Sequence, residues 1–112
     1  MTEIKVFKNN DNIICVECLG HTGYAEYGED IVCASLSSIV QTAGLGILLV
    51  AKINARIEQD VEKGYFKMTL PNKLSEEEIL KSQIIFDTMM CGISELLQEY
   101  SDFINLEVIE NV

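Results

Sequence analysis

From about residue 32 to residue 55, apolar side chains return every three or four positions, at Leu36, Ile39, Val40, Ala43, Ile47, Val50 and Ala51. That spacing lines them along one side of a helix and requires another apolar surface to cover them. In a chain of 112 residues the cover has to come from the flanking segments. Residues 4–7 and 13–19 are rich in β-formers, and Asn9-Asn10-Asp11-Asn12 between them supplies turn chemistry, so they read as a hairpin that Gly20 ends. Residues 57–61 and 65–70, around the turn-like Glu62-Lys63-Gly64, suggest a second hairpin halted at Pro71, with its first arm the weaker pattern. Ser75 with Glu78 makes a capping box for a second helix, whose apolar stripe is Ile79, Ile85, Phe86, Met89, Met90, Ile93 and Leu97 and whose end falls near Tyr100. Residues 103–109 regain β character. The order is ββαββαβ, or ββαβαβ without the weak arm. It defines an α+β fold in which a small antiparallel-rich sheet and two helices form an α/β sandwich, one domain over residues 1–112.

Gly44 and Gly46 interrupt the first helical pattern, each at a local cost of about 1 kcal/mol against alanine. Close approach of another backbone explains them, whether in a dimer contact or a helix-on-helix crossing. Glu76-Glu77-Glu78 suits the first turn of the second helix, where it complements the macrodipole. Met68, Met89 and Met90 sit at core-like positions and read as packing. The 8 basic and 18 acidic residues leave a net charge of −10. That balance repels phosphate backbones and anionic membrane surfaces and favours basic partners, so neither direct nucleic-acid binding nor membrane association is expected. Residues 1–12 are polar and strand-like rather than a basic region followed by an apolar run, and the apolar stretch 39–53 falls mid-chain, so the expected location is the cytoplasm. There the four cysteines stay reduced. Cys15, Cys18 and Cys91 have apolar neighbours and read as small buried packing residues.

Cys33 has different company. The single histidine, His21, lies twelve residues before it, across a glycine-punctuated stretch that enters the first helix. A cysteine becomes a strong nucleophile when an imidazolium and a helix N-terminus stabilise its thiolate. If Asp30 caps the first helix, Cys33 falls in its opening turn, and the backbone N–H groups of Cys33 and Ala34 can bind the oxyanion of a tetrahedral intermediate. Ser37, four residues on, shares a helical face with Cys33, so its hydroxyl can approach the sulfur or a bound carbonyl; ordinary small-residue packing explains it as well. His21, just past a strand end, can meet Cys33 at one edge of the sheet.

Gly20-His21, then Gly28-Glu29-Asp30-Ile31-Val32-Cys33-Ala34 and Ser37, resembles the signature of the ribosomal-processing cysteine proteases, the Prp family, and the likeness extends over the whole chain. The resemblance implies that His21 and Cys33 are the catalytic pair, with Asp30 and Ser37 supporting them. It also implies a small homodimeric α+β fold without metal or cofactor. Its implied substrate is the large-subunit ribosomal protein numbered twenty-seven, from which a short apolar N-terminal extension is cut after paired phenylalanines during ribosome assembly. A negative chain suits so basic a precursor. The loop over residues 20–28, with Gly20, Gly23 and Gly28, can close over an extended peptide, and Tyr24 and Tyr27 are candidates to line it or to anchor the loop on the core. Thr22 stands where the family pattern leads one to expect alanine or serine.

Two other classes compete. Cys15, Cys18, His21 and Cys33 offer ligand types for a structural zinc, but on a regular strand Cys15 and Cys18 point to opposite faces, against tetrahedral ligation. A non-enzymatic assembly factor would hold a basic ribosomal protein on its acidic surface, with Cys33 merely buried at the helix start.

Overall fold

The computed structural model describes residues 2–20 and 27–112, with the side chains of 27–30 outside the description. Five strands, β1 (Thr2–Asn9), β2 (Asn12–Leu19), β3 (Arg56–Asp60), β4 (Tyr65–Thr69) and β5 (Ile104–Ile109), form one sheet in the order β3-β4-β2-β1-β5. The β1–β5 pair is parallel and the other three pairs are antiparallel. Two helices, α1 (Tyr27–Leu45), prolonged by a π-helical turn over Gly46–Val50, and α2 (Glu76–Tyr100), complete the fuller of the two expected orders, ββαββαβ.

The β1–β2 hairpin closes through Asn10 and Asp11, both with positive φ (51° and 65°), as a two-residue turn of the primed kind requires. Alternation along the strands then sorts the faces. Ile4 pairs with Cys18 and Cys18 with Phe66, while Val6 pairs with Val16 and Val16 with Met68; these side chains are buried beneath the helices. Glu107, Lys5, Glu17, Lys67 and Glu58 pair in turn across β5, β1, β2, β4 and β3. Every neighbour in that row has the opposite sign, a favourable cross-strand pattern on the open face. β3 is an edge strand with Arg56 and Gln59 exposed. Charge at an edge discourages pairing with another chain, and it also blurs the apolar alternation that would have marked this arm as a strand.

Helix α1 buries Val32, Leu36, Val40 and Ala43, the π-helical turn buries Ile47, and α2 buries Phe86, Met89 and Ile93, all in one core with the sheet. A Cβ on Gly44 would meet Phe66 Cζ at 3.3 Å, and one on Gly46 would meet Ile85 Cγ2 at 3.4 Å. These glycines therefore serve helix-on-sheet and helix-on-helix approach within one chain, which bears out the helix-crossing reading of Gly46. The Gln83 side chain clasps β2, accepting from the Ile13 N–H (2.8 Å) and donating to the Ile13 carbonyl (2.9 Å). The capping box at Ser75 forms as expected, with Glu78 N–H donating to Ser75 Oγ and Ser75 N–H to Glu78 Oε1.

The first helix differs from expectation at both ends. It begins at Tyr27, and helical structure stops at Val50 rather than near residue 55. Lys52 takes a left-handed conformation (φ 57°), and the Ile53 N–H donates to the Ile47 carbonyl (2.9 Å), a closing turn one residue wider than a Schellman cap. The wide turn also shifts the phase of the apolar stripe, leaving Val50 exposed at 75% while Ala51 stays buried. Cys91, expected inside, is exposed on α2. Residues Ile31–Val50 are long and apolar enough to cross a membrane, and Val32, Leu36, Val40, Ala43 and Ile47 within them are buried in the core.

Phe86 has no exposed surface, so Phe86→Ala should lower unfolding free energy by about 3–5 kcal/mol in a denaturant titration. Cys91→Ser, at an exposed site, should change it by no more than about 0.5 kcal/mol.

Candidate active site

Three backbone segments meet at one end of the sheet. β1 starts at Thr2, whose N–H donates to the Phe103 carbonyl (2.8 Å). β2 stops at Leu19, and the next residue, Gly20, donates its N–H to the Gly64 carbonyl in the β3–β4 turn (3.0 Å). Cys33 of α1 lies against both segments: its Sγ is 2.8 Å from Thr2 Oγ1, and a Cβ on Gly20 would stand 3.0 Å from that sulfur and 3.8 Å from Thr2 Oγ1. Among the described glycines Gly64 has the left-handed backbone (φ 64°). Gly20 thus serves space rather than conformation: the sulfur occupies the room where its side chain would be.

The half-buried sulfur opens on a cavity of about 220 Å³. One wall is α1, with Cys33, Ala34, Ser37, Val40 and Gln41; the floor is Thr2, Cys18 and Gly20; the far wall is the β3–β4 hairpin, including Val61, Tyr65 and Phe66. Ser37 Oγ accepts from Gln41 Nε2 (2.8 Å), which leaves the serine O–H to donate elsewhere. Burial, and secondarily the charge that Cys33 can carry nearby, pushes the Cys18 thiol up to about 11, so it stays protonated at neutral pH. Loss of water and donation to Glu17 Oε2 (2.9 Å) push the Tyr65 phenol up to about 12, keeping it a neutral donor at the rim.

Of the residues singled out in the sequence, Gly20, Cys33, Ala34 and Ser37 share this cleft. His21, Gly23 and Tyr24 lie outside the described residues, as do the side chains of Tyr27 and Asp30; Gly28 belongs to the first turn of α1. Because α1 starts at Tyr27, Asp30 lies inside the helix and does not cap it. Cys33 and Ala34 fall in the second turn, where backbone N–H groups are taken up by carbonyls four residues earlier. The expected oxyanion site on those two groups, and the expected end-of-helix field on the thiolate, are corrected accordingly. Cys15 pairs with Thr69 and Cys18 with Phe66, three positions apart on β2 and so on opposite faces; a single zinc ion cannot take both. No disulfide joins any of the four cysteines. Thr2, Cys18, Gln41 and the β3–β4 hairpin went unmarked as site residues, since only the register of β1, β2 and β4 brings them to Cys33.

The model of the cysteine protease Prp family matches residues 1–105. The chain belongs to that family. The ribosomal processing cysteine protease Prp of Bacillus subtilis is 27% identical over all of this chain and 99% of its own length. SMU.848 from Streptococcus mutans superposes with a TM-score of 0.85 at 25% identity, covering 98% of this chain and 95% of that one. The ribosomal processing protease Prp from Staphylococcus aureus, in complex with a covalently linked product peptide, superposes with a TM-score of 0.79 at 26% identity over 96% and 99% of the two chains. Membership of the Prp family makes the chain a cysteine peptidase, and the non-enzymatic assembly-factor reading gives way to it.

Gly20→Ala should push Cys33 Sγ aside by a few tenths of an ångström and slow alkylation of that thiol about tenfold, as site-resolved mass spectrometry would record. Cys18 predicts a separate effect in alkali. The unfolded thiol loses its proton near 9.0 and the folded one near 11, so the unfolded state binds fewer protons between those values. Stability should fall by about 2–3 kcal/mol as pH rises through that window, and Cys18→Ala should flatten the fall in denaturant titrations.

Proposed function

We propose that this chain is a ribosomal-processing endopeptidase in which Cys33 is the nucleophile and His21 its acid–base partner. The observation that carries the reading is the packing of Cys33 Sγ against Gly20, 3.0 Å from where its Cβ would be, together with the fact that the residue covalently next to Gly20 is His21. The chain thus runs into His21 directly from a residue that packs against the Cys33 sulfur.

In the first half-reaction the Cys33 thiolate attacks the scissile carbonyl, and the imidazolium of His21 gives its proton to the departing amine, leaving a thioester. In the second, neutral His21 takes a proton from water, hydroxide attacks the thioester, and the thiolate and the new carboxylate separate. The oxyanion that forms in each half needs a donor other than the helical N–H groups of Cys33 and Ala34. Ser37, polarised by Gln41 and lining the cleft one turn beyond the sulfur, supplies it. Asp30 is assigned to orient His21.

The substrate is a ribosomal protein precursor bearing a short apolar N-terminal extension, the large-subunit protein numbered twenty-seven. Val40, Val61 and Phe66 supply apolar cleft surface for it, and the net charge of −10 favours approach of a basic protein. The segment that follows Gly20 is assigned to cover the bound peptide, with Tyr24 and Tyr27 the candidates to contact it, and the enzyme is assigned to the cytoplasm as a homodimer without metal, nucleic acid or membrane. A Prp relative with a covalently linked product peptide is consistent with thioester chemistry of this kind.

The test is the intact mass of such a precursor after incubation with the enzyme. The wild-type chain should release the extension. Cys33→Ser and His21→Ala should each slow release by about a thousandfold or more, and unchanged cleavage in either variant would remove that residue from the dyad.

A further inference from the structure

We infer that Thr2 is a positioning residue for the peptidase reaction, its buried hydroxyl donating a hydrogen bond to Cys33 Sγ that both aims the sulfur and stabilises it as the thiolate. The inference rests on Cys33 being the nucleophile and adds a group that neither Gly20-His21 nor the segment from Gly28 to Ala34 contains. Thr2 is only 1% exposed, and its Oγ1 lies 2.8 Å from the sulfur although 31 residues separate the two in sequence. Its backbone is pinned twice, by the N–H donated to Phe103 and by parallel pairing with Ile104. A β-branched side chain on a pinned strand has little freedom at χ1, so the hydroxyl is held at one point.

Chemistry decides the direction of the bond in the reactive form. A thiol is a weak donor, whereas a thiolate has no proton to give and can only accept. When Cys33 is ionised, the proton in the contact must therefore come from Thr2, and donation to an anion is stronger than donation to a neutral sulfur. The hydroxyl thus favours the charged form. Such a contribution matters here because Cys33 lies in the second turn of α1, away from the unpaired N–H groups of the helix start. Gly20 closes the arrangement, since its missing side chain leaves Thr2 Oγ1 and Cys33 Sγ facing one notch.

The test follows Cys33 alkylation by iodoacetamide against pH in the full chain, resolved from the other three cysteines by peptide mass spectrometry, for wild type, Thr2→Val and Thr2→Ser. Valine keeps the shape and removes the proton. Its Cys33 alkylation at neutral pH should slow about tenfold, and kcat for precursor cleavage at neutral pH should fall about tenfold with KM within about twofold. Serine should restore both to within about threefold. A valine profile overlaying wild type, or a serine variant as impaired as valine, would reduce Thr2 to packing and overturn the inference. If Thr2→Val folds poorly by circular dichroism, Thr2→Ala is read against Thr2→Ser by the same criteria. Failure of the underlying reading is seen separately, as cleavage persisting in Cys33→Ser.

Discussion

The burial of one side of α1 against β1, β2 and β4 fixes nearly everything else in this molecule. Val32 and Leu36 have no exposed surface, and each helical residue turns the side chain by about 100°. Cys33, between those two anchors, is therefore held at the border between core and cleft, half in and half out. Ser37, one turn on, follows on the same border, with Gln41 a further turn away. A thiol set this way is aimed by hydrophobic packing, which tolerates neither a rotated helix nor a slipped one. The glycines at 44 and 46 belong to the same device, letting α1 and its π-helical turn settle onto Phe66 and Ile85 at contact distance.

Elements built from strong local patterns were legible in the sequence. The capping box at Ser75, the Asn-Asp turn between β1 and β2, and both apolar stripes announce themselves because each is written in neighbouring residues. The start of α1 was not, since an aspartate at position 30 is as natural inside a first turn as at a cap. The far end was obscured by a π-helical turn that leaves the apolar periodicity nearly intact while rotating Val50 outward. Edge strand β3 was faint because charge at an edge erases alternation.

The site divides in the same manner. Gly20, Cys33, Ala34 and Ser37 lie in two short segments whose spacing carries meaning, and the structure gathers them. Thr2, Cys18 and the hairpin wall are distant in sequence and meet Cys33 only through strand register, which no local pattern encodes. The role of Gly20 was visible as identity but not as cause: the letter suggests a flexible loop, and the geometry shows a vacancy filled by sulfur.

The parallel pairing of β1 with β5 has a temporal meaning. Thr2 opens the first of the five strands in chain order, yet the carbonyl and strand that pin it belong to Phe103 and Ile104, where the last of the five begins. During synthesis the cysteine, its helix and the first hairpin can all fold while the edge beside β1 is still bare. The setting of the Cys33 sulfur is finished only when β5 docks, so a chain made only as far as α2 carries the thiol without its full support.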